Sequence, residues 1–368
     1  MTAREAQSWM LYGAYGFTGR LIAEAAVRRG HRPVLAGRDR VRLGDLAGRM
    51  GLKPIVADLD DPTRLRALVG AQPLVLNAAG PFSETSQALI KACLETATPY
   101  ADVSGELRHI RSVVALDGRA RAAGIALLTG AGFGVTFGDC LARHVADRLP
   151  DATHLRLSVA AANAQTTAAV RRTILGVISR GGFAVEGGRW MARPLAHALW
   201  RVSDEGEDHE CVAAPMGELA ALHAWAGAPN ILVGRPMHHA QARRLRRLSP
   251  LIQAALKIGP LRAMLGRSRQ EAVNTPGPED GRRSRIWAEA WNGRGDRVSS
   301  RLETGEGYLA TAAAAVVNVE ALAASSLHGA FTPASAFGAD HVLQIENVQR
   351  IDDPSPGLRR WVDPVQPE

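Results

Sequence analysis

An apolar run from Trp9 to Tyr12 gives way at once to Gly13, Gly16 and Gly19, and then to the helical pattern Leu21-Ile22-Ala23-Glu24-Ala25-Ala26. Strand, glycine turn and helix in that order leave few folds open. Gly13 allows the tight turn out of the strand. Gly16 lets backbone approach a pyrophosphate closely, and Gly19 lets the helix pack against the strand. Tyr15, Phe17 and Thr18 complete the turn. The helix start offers free N–H groups and the positive end of its dipole to a phosphate. An ordinary strand–helix turn is the plainer alternative, because glycine also marks turns and the spacing is Gly-x-x-Gly-x-x-Gly. The position of the triplet, after a strand and before a helix, favours a nucleotide.

Five more apolar runs follow: Pro33–Ala36, Pro54–Ala57, Pro73–Leu76, Tyr100–Val103 and Ile125–Leu128. Helical patterns such as Glu84–Thr96 and Leu107–Ala123 alternate with them. This predicts an α/β Rossmann domain with a doubly wound parallel sheet, whose ligand binds at the carboxyl ends of the strands. Gly37, Arg38 and Asp39 follow the second strand. A guanidinium there suits a 2′-phosphate, so the cofactor expected is NADP(H). Asp58, after the third strand, either meets the adenine edge or caps the helix near Pro62. Ala78, Ala79, Gly80 and Pro81 follow the fourth and are small enough to lie against ribose and nicotinamide. Asp102 and Glu106 follow the fifth and put two carboxylates near the nicotinamide end. Either could supply a proton, and Asp102 could equally anchor neighbouring backbone.

The formal charge of +8 and pI near 10.1 permit an anionic partner. No nucleic-acid motif accompanies them, and aromatic residues make up only 5% of the chain, so no nucleic-acid partner is expected. Cys93, Cys140 and Cys211 lie far apart, which supports neither a zinc ribbon nor a disulfide framework, and no metal is expected. A polar Met1–Glu5 without a secretory apolar region, and no long apolar run, point to a cytoplasmic protein.

Beyond Pro150 the alternation changes. Thr153–Val159, Gly188–Met191, Ile231–Val233, Arg285–Asn292 and Arg297–Thr304 read as strands, and Gln165–Ser179 and Glu306–Ser325 as helices. A second, mixed α+β domain fits. The boundaries expected are 1–133 for the NADP-binding domain, 134–328 for the substrate domain and 329–368 for a C-terminal segment with a loosely ordered tail. Within the second domain, His239–Leu265 is rich in Arg and Leu. Leu248, Ile252 and Leu256 recur at helical spacing and predict the wall of an apolar pocket. Membrane contact is the lesser alternative, because Pro250 and Gly259-Pro260 interrupt the stretch.

Four segments, Gly-Ala-Tyr-Gly-Phe-Thr-Gly-Arg (13–20), Leu-Ala-Gly-Arg (35–38), Ala-Ala-Gly-Pro-Phe (78–82) and Tyr-Ala-Asp-Val-Ser-Gly-Glu (100–106), resemble the saccharopine dehydrogenase-like reductases, in particular the bacterial branch with the trans-acting enoyl reductases. So do Gly217-Glu218-Leu219, Ala228–Ile231, Thr304–Tyr308 and Gly329–Ala334. The resemblance implies a C-terminal segment that returns to the nucleotide domain from about Gly329. It also implies an NADPH-dependent oxidoreductase that reduces a C=C, C=N or C=O bond of a small or lipid-like substrate. Tyr15, Asp102 and Glu106 are the proton-donor candidates, although Tyr15 could simply pack over the cofactor. A short-chain dehydrogenase would need Lys four residues after a Tyr. The residues four after Tyr12, Tyr15, Tyr100 and Tyr308 are Gly16, Gly19, Ser104 and Ala312, so that rival is rejected. A non-enzymatic NADP sensor or interaction protein is the alternative, and a homodimer is left open.

Overall fold

The computed structural model describes residues 8–162, 181–204, 207–256 and 283–352. The chain divides into two compact units: Met1–Thr136 with Gly307–Glu346, and Phe137–Glu306 with Asn347–Glu368. In the first unit, β1 (Met10–Tyr12), β2 (Val34–Gly37), β3 (Pro54–Val56), β4 (Val75–Asn77), β5 (Tyr100–Asp102) and β6 (Ala126–Leu128) sit within the six apolar runs. Between them lie α1 (Phe17–Arg28), α2 (Arg40–Met50), α3 (Pro62–Gly70), α4 (Phe82–Thr96), α5 (Leu107–Val114) and α6 (Asp117–Ala122). The helix expected over Leu107–Ala123 is thus two short ones. Then α7 (Phe133–Arg148) carries the chain out of the first unit.

The strands read as continuous apolar runs because helices cover both faces of the sheet. Side chains alternate between two cores. Leu11, Leu35, Leu76, Ala101 and Leu128 join Ile22 and Leu43 on one side. Met10, Tyr12, Ala36, Val75, Tyr100 and Leu127 join Leu65, Leu89 and Val113 on the other. All strand pairs are parallel, and β1 lies between β2 and β4. The chain therefore winds one way from β1 to β3 and the other way from β4 onward. The crevice beside β1 is where such sheets hold ligands.

The second unit carries β7 (His154–Ala160), β8 (Gly182–Glu186), β9 (Arg189–Arg193), β10 (Leu199–Asp204), β11 (Glu207–Ala213), α8 (Gly217–Trp225), β12 (Asn230–Pro236), α9 (His239–Leu256), β13 (Ser284–Trp291) and β14 (Arg297–Thr304). Its sheet is mixed: β7 pairs parallel with β12 and antiparallel with β13. The hairpin of β10 and β11 has no counterpart in the sequence reading. Its alternation is short and runs into Asp204-Glu205-Gly206-Glu207-Asp208, which hides the two-residue period. On α9, Leu245 is half-buried and packs with buried Ala196, Val212 and Ala242, whereas Leu248 and Leu251 are exposed. The expected pocket face of Leu248 and Ile252 is therefore split. The predicted helix at Gln165–Ser179 and the tail beyond Asp352 lie outside the described residues.

The chain returns to the first unit at Gly307, ahead of the Gly329 expected from sequence. There α10 (Gly307–Ala323) packs Ala315, Val316 and Val319 into the core beside α1. A seventh parallel strand, β15 (Gly329–Phe331), pairs with β6. After α11 (Pro333–Phe337), β16 (Gln349–Asp352) joins β14 in the second unit. Among the described residues no helix is long and apolar enough to cross a membrane.

Candidate functional site

The turn after β1 fits a phosphate for reasons visible residue by residue. Gly13 has φ +80°, and a Cβ there would stand 2.8 Å from the Cβ of Ala79. The two loops at the β1 and β4 tips thus touch, which is why both are built of small residues. A Cβ at Gly19 would stand 2.2 Å from the Gly13 carbonyl oxygen, so α1 packs flush against the turn. Gly16 differs: its φ is −66° and its ψ 162°, which any residue adopts, and an added Cβ would meet only the Gly13 oxygen, at 3.1 Å. The space in front of Gly16 is otherwise open.

The first turn of α1 leaves its N–H groups without helical partners, and no side chain caps them. The three helices after β2, β3 and β4 are all served. Asp39 accepts from the N–H groups of Val41 and Arg42, at 3.1 Å each. Asp61 accepts from Arg64 at 3.0 Å. Glu106 accepts from Phe82 at 2.9 Å and from Ser83 at 3.3 Å. Of the helices that follow β1 to β4, α1 is the one whose start meets no side chain, and with the open space before Gly16 the cradle fits a pyrophosphate. Phe17 stacks edge-on against Tyr308, with ring centroids 4.8 Å apart, and fixes the entry of α1. Thr18 is half-buried beside it.

At the β2 tip, a Cβ on Gly37 would meet the Tyr15 ring at 2.5 Å, and the Arg42 guanidinium lies 4.8 Å from the centre of that ring. Tyr15 therefore lies against the β2 tip. Arg38, Arg40 and Arg42 are exposed and form no ion pair among the described residues. Asp39, one residue after Arg38, spends Oδ1 on capping α2. Asp58 accepts from the N–H of Asp60 at 3.1 Å, while the helix near Pro62 is capped by Asp61. Behind this edge Tyr12 is buried and its hydroxyl pKa is pushed up to about 12, by burial first and by Tyr15 and Asp58 next.

The loop at the β4 tip is held by buried Asn77. Its Oδ1 accepts from the Ala79 N–H at 2.9 Å, and its Nδ2 donates to the Tyr100 hydroxyl at 3.3 Å. The Ala78 N–H donates to the Tyr12 carbonyl at 2.9 Å, and the Gly80–Pro81 peptide is cis. Ala78, Ala79, Gly80 and Pro81 present little side chain and leave backbone open beside β1.

Asp102 ends β5, which β4 separates from β1, whereas Tyr15 lies against the β2 tip on the other side of β1. Asp102 is fully buried. Its Oδ1 accepts from the Ser104 N–H at 3.0 Å, the Thr129 hydroxyl at 3.0 Å and the Gly130 N–H at 3.2 Å. Its Oδ2 meets His109 Nε2 at 2.6 Å. Burial works to raise its pKa, but the His109 charge and these hydrogen bonds outweigh burial and hold the carboxyl below its ordinary value. The Ser86 hydroxyl donates to the Phe82 carbonyl at 2.6 Å, so it accepts from His109 Nδ1 at 3.2 Å. Both ring nitrogens then donate, which makes the pair imidazolium and carboxylate. Burial opposes the His109 charge, and Asp102 overrides it, raising the His109 pKa. The sequence reading did not pick out Asn77, Arg42 or His109. Only Arg42 had a visible signal, as the third arginine in Arg38-Asp39-Arg40-Val41-Arg42.

Among the described residues of the second unit, the buried carboxyl of Glu218 is of a different kind. Glu218 opens α8, and burial, with Asp139 adding to it, pushes its pKa up to about 7. Asp139 accepts from Trp225 Nε1 at 2.6 Å.

Residues 9–128 match the family described as the saccharopine dehydrogenase NADP binding domain. A trans-acting enoyl reductase of Mycobacterium leprae is 37% identical over 132 residues, which are 34% of this chain and 32% of that protein. A trans-acting enoyl reductase of Mycobacterium tuberculosis is 38% identical over 116 residues, 29% of this chain and 27% of that one. The chain thus spans about a third of the length of these relatives. Apo saccharopine dehydrogenase from Saccharomyces cerevisiae shares the fold, with a TM-score of 0.62 and 13% identity over 95% of this chain and all of that one. The glycine turn, the β2 tip and the β4 loop all fall inside the stretch that matches the saccharopine dehydrogenase NADP binding domain.

Proposed function

We propose that the chain is an NADPH-dependent reductase acting on a C=C, C=N or C=O bond of a small or lipid-like substrate. The observation that carries the reading is the arginine-rich β2 tip beside an uncapped α1. Gly16 and the N–H groups of α1 would hold the pyrophosphate. Arg38, Arg40 and Arg42 would hold the 2′-phosphate, with Tyr15 packed beneath Arg42. Ala78 to Pro81 would lie along the nicotinamide ribose. When bound, the cofactor supplies the hydride, and the chain binds, orients and handles the proton. The enoyl reductase names of the relatives support reduction of a C=C bond, and the match to an NADP-binding domain supports the cofactor.

The engagement of Asp102 and Glu106 as anchor and cap weighs against either as the proton donor and gives weight to the sensor reading. Stopped-flow oxidation of NADPH against enoyl thioesters, imines and ketones separates the two. Turnover of one of these classes supports the reductase, and tight NADPH binding without oxidation by any supports the sensor. The cofactor assignment has its own test. NADPH should bind more tightly than NADH, and Arg38→Ala should weaken NADPH by about 1.5–3 kcal/mol while leaving NADH unchanged. Arg42→Ala should act in the same direction. Equal affinities for the two cofactors in the parent protein would remove the phosphate role of this edge.

A further inference from the structure

The stretch from His239 to Gln270 contains eight Lys and Arg and no Asp or Glu. The remaining 36 cationic residues of the chain equal its 36 acidic ones, so this stretch holds the whole net charge of +8. The net charge is concentrated in one stretch of sequence, and four of its eight cations, Arg243, Arg244, Arg246 and Arg247, lie in the described residues.

The described part of that stretch is α9. One side faces the unit: Ala242 is buried, Leu245 packs with Ala196 and Val212, and Ser249 is buried with its hydroxyl donating to the Arg246 carbonyl at 3.0 Å. The other side carries Arg243, Arg244 and Arg247, and Arg246 lies on the flank one turn after Ala242; all four are exposed and form no ion pair among the described residues. Among them stand Leu248, 38% exposed, and Leu251, 69% exposed. Helical geometry groups these residues. Arg244 lies one turn from Leu248, Arg247 one turn from Leu251, and Leu248 beside Leu251. Neither part of the patch serves the isolated fold. Like charges three and four residues apart destabilise a helix, and leucines in water gain nothing.

We propose that the Arg243–Leu251 face of α9 docks on an anionic lipid bilayer. A bilayer surface offers both things the patch lacks. Phosphate-bearing headgroups meet the guanidinium groups, and the acyl boundary just beneath receives Leu248 and Leu251. A folded acidic protein would meet the charges, but such interfaces use aromatic anchors, and the sequence from His239 to Gln270 contains no Phe, Tyr or Trp. The proposal concerns binding alone and does not rest on the reductase reading.

The test is co-sedimentation of the full chain with vesicles of phosphatidylcholine, with and without phosphatidylglycerol, at low and high salt. The chain should bind only the vesicles containing phosphatidylglycerol, and salt should weaken that binding. The triple variant Arg243→Gln, Arg244→Gln, Arg247→Gln should lose about tenfold or more in affinity. The double variant Leu248→Ser, Leu251→Ser keeps every charge and should also bind vesicles more weakly, while its affinity for heparin is unchanged. Circular dichroism checks that each variant is folded. If the triple variant fails to fold, the double variant carries the test. No binding to the anionic vesicles overturns the proposal. So does vesicle binding that survives in both folded variants. Vesicle binding indifferent to the leucines also overturns it, because the patch would then be a surface for polyanions in general.

Discussion

A side chain at Gly19 would run into the Gly13 carbonyl at 2.2 Å, and one at Gly13 would need φ +80° and would strike Ala79 at 2.8 Å. Those two glycines hold the turn together. Gly16 is under neither constraint, since its backbone is extended and the nearest atom to an added Cβ is 3.1 Å away. Substitution therefore separates fold from site. Gly16→Val should leave the circular dichroism spectrum and melting temperature close to the parent and abolish NADPH binding, because the methyls occupy the pyrophosphate's place. Gly19→Ala should lower the melting temperature. A Gly16→Val protein that still enhances NADPH fluorescence would show that the phosphate lies elsewhere. The glycines were legible from spacing alone. The division of labour among them was not, because it depends on how closely the β4 loop approaches the turn.

At the scale of elements, the helices of the first unit show how a carboxylate near a site can be structural. Glu106 stands where a catalytic acid was expected, and its two oxygens accept from the first N–H groups of α4. That position also favours a negative charge on the dipole. Glu106→Ala should lower stability by about 0.5–2 kcal/mol, the usual loss for a helix cap, and should leave the rate of hydride transfer within a few-fold of the parent. A collapse of that rate in a stable Glu106→Ala protein would return the residue to the chemistry. Five of the six strands were readable because burial on both faces makes each a short apolar run, such as Leu74–Leu76, while the edge strand β3 is only partly buried. The cap was not readable: Glu106 lies 24 residues from Phe82, and nothing local links them. The same distance hid the contact of His109 with Ser86 and the β10–β11 hairpin's place in the sheet.

Across the whole molecule, the two units should respond differently to pH. In the first, Asp102 is held below its ordinary pKa and His109 above it. A lowered acid stabilises the fold above its unfolded value and loses that contribution as pH falls through the folded one. A raised histidine stabilises below its unfolded value and loses that contribution as pH rises through the folded one. The pair's contribution is therefore full between the ordinary values of 3.8 and 6.5 and declines on either side of that window. Glu218 in the second unit has the opposite sign to Asp102. Its folded pKa is raised from 4.5 to about 7, so the folded state binds the extra proton in that window. Its contribution is complete below 4.5 and is lost as pH rises toward 7. The full span corresponds to about 3 kcal/mol. Glu218→Gln keeps the volume and stays uncharged at every pH, so it removes this slope and leaves the first unit's carboxylate–imidazolium pair untouched. Urea unfolding at intervals from pH 4.5 to 8 should show the parent losing stability with rising pH more steeply than Glu218→Gln. Parallel curves for the two proteins would mean that Glu218 is ionised throughout, and that burial does not hold its proton.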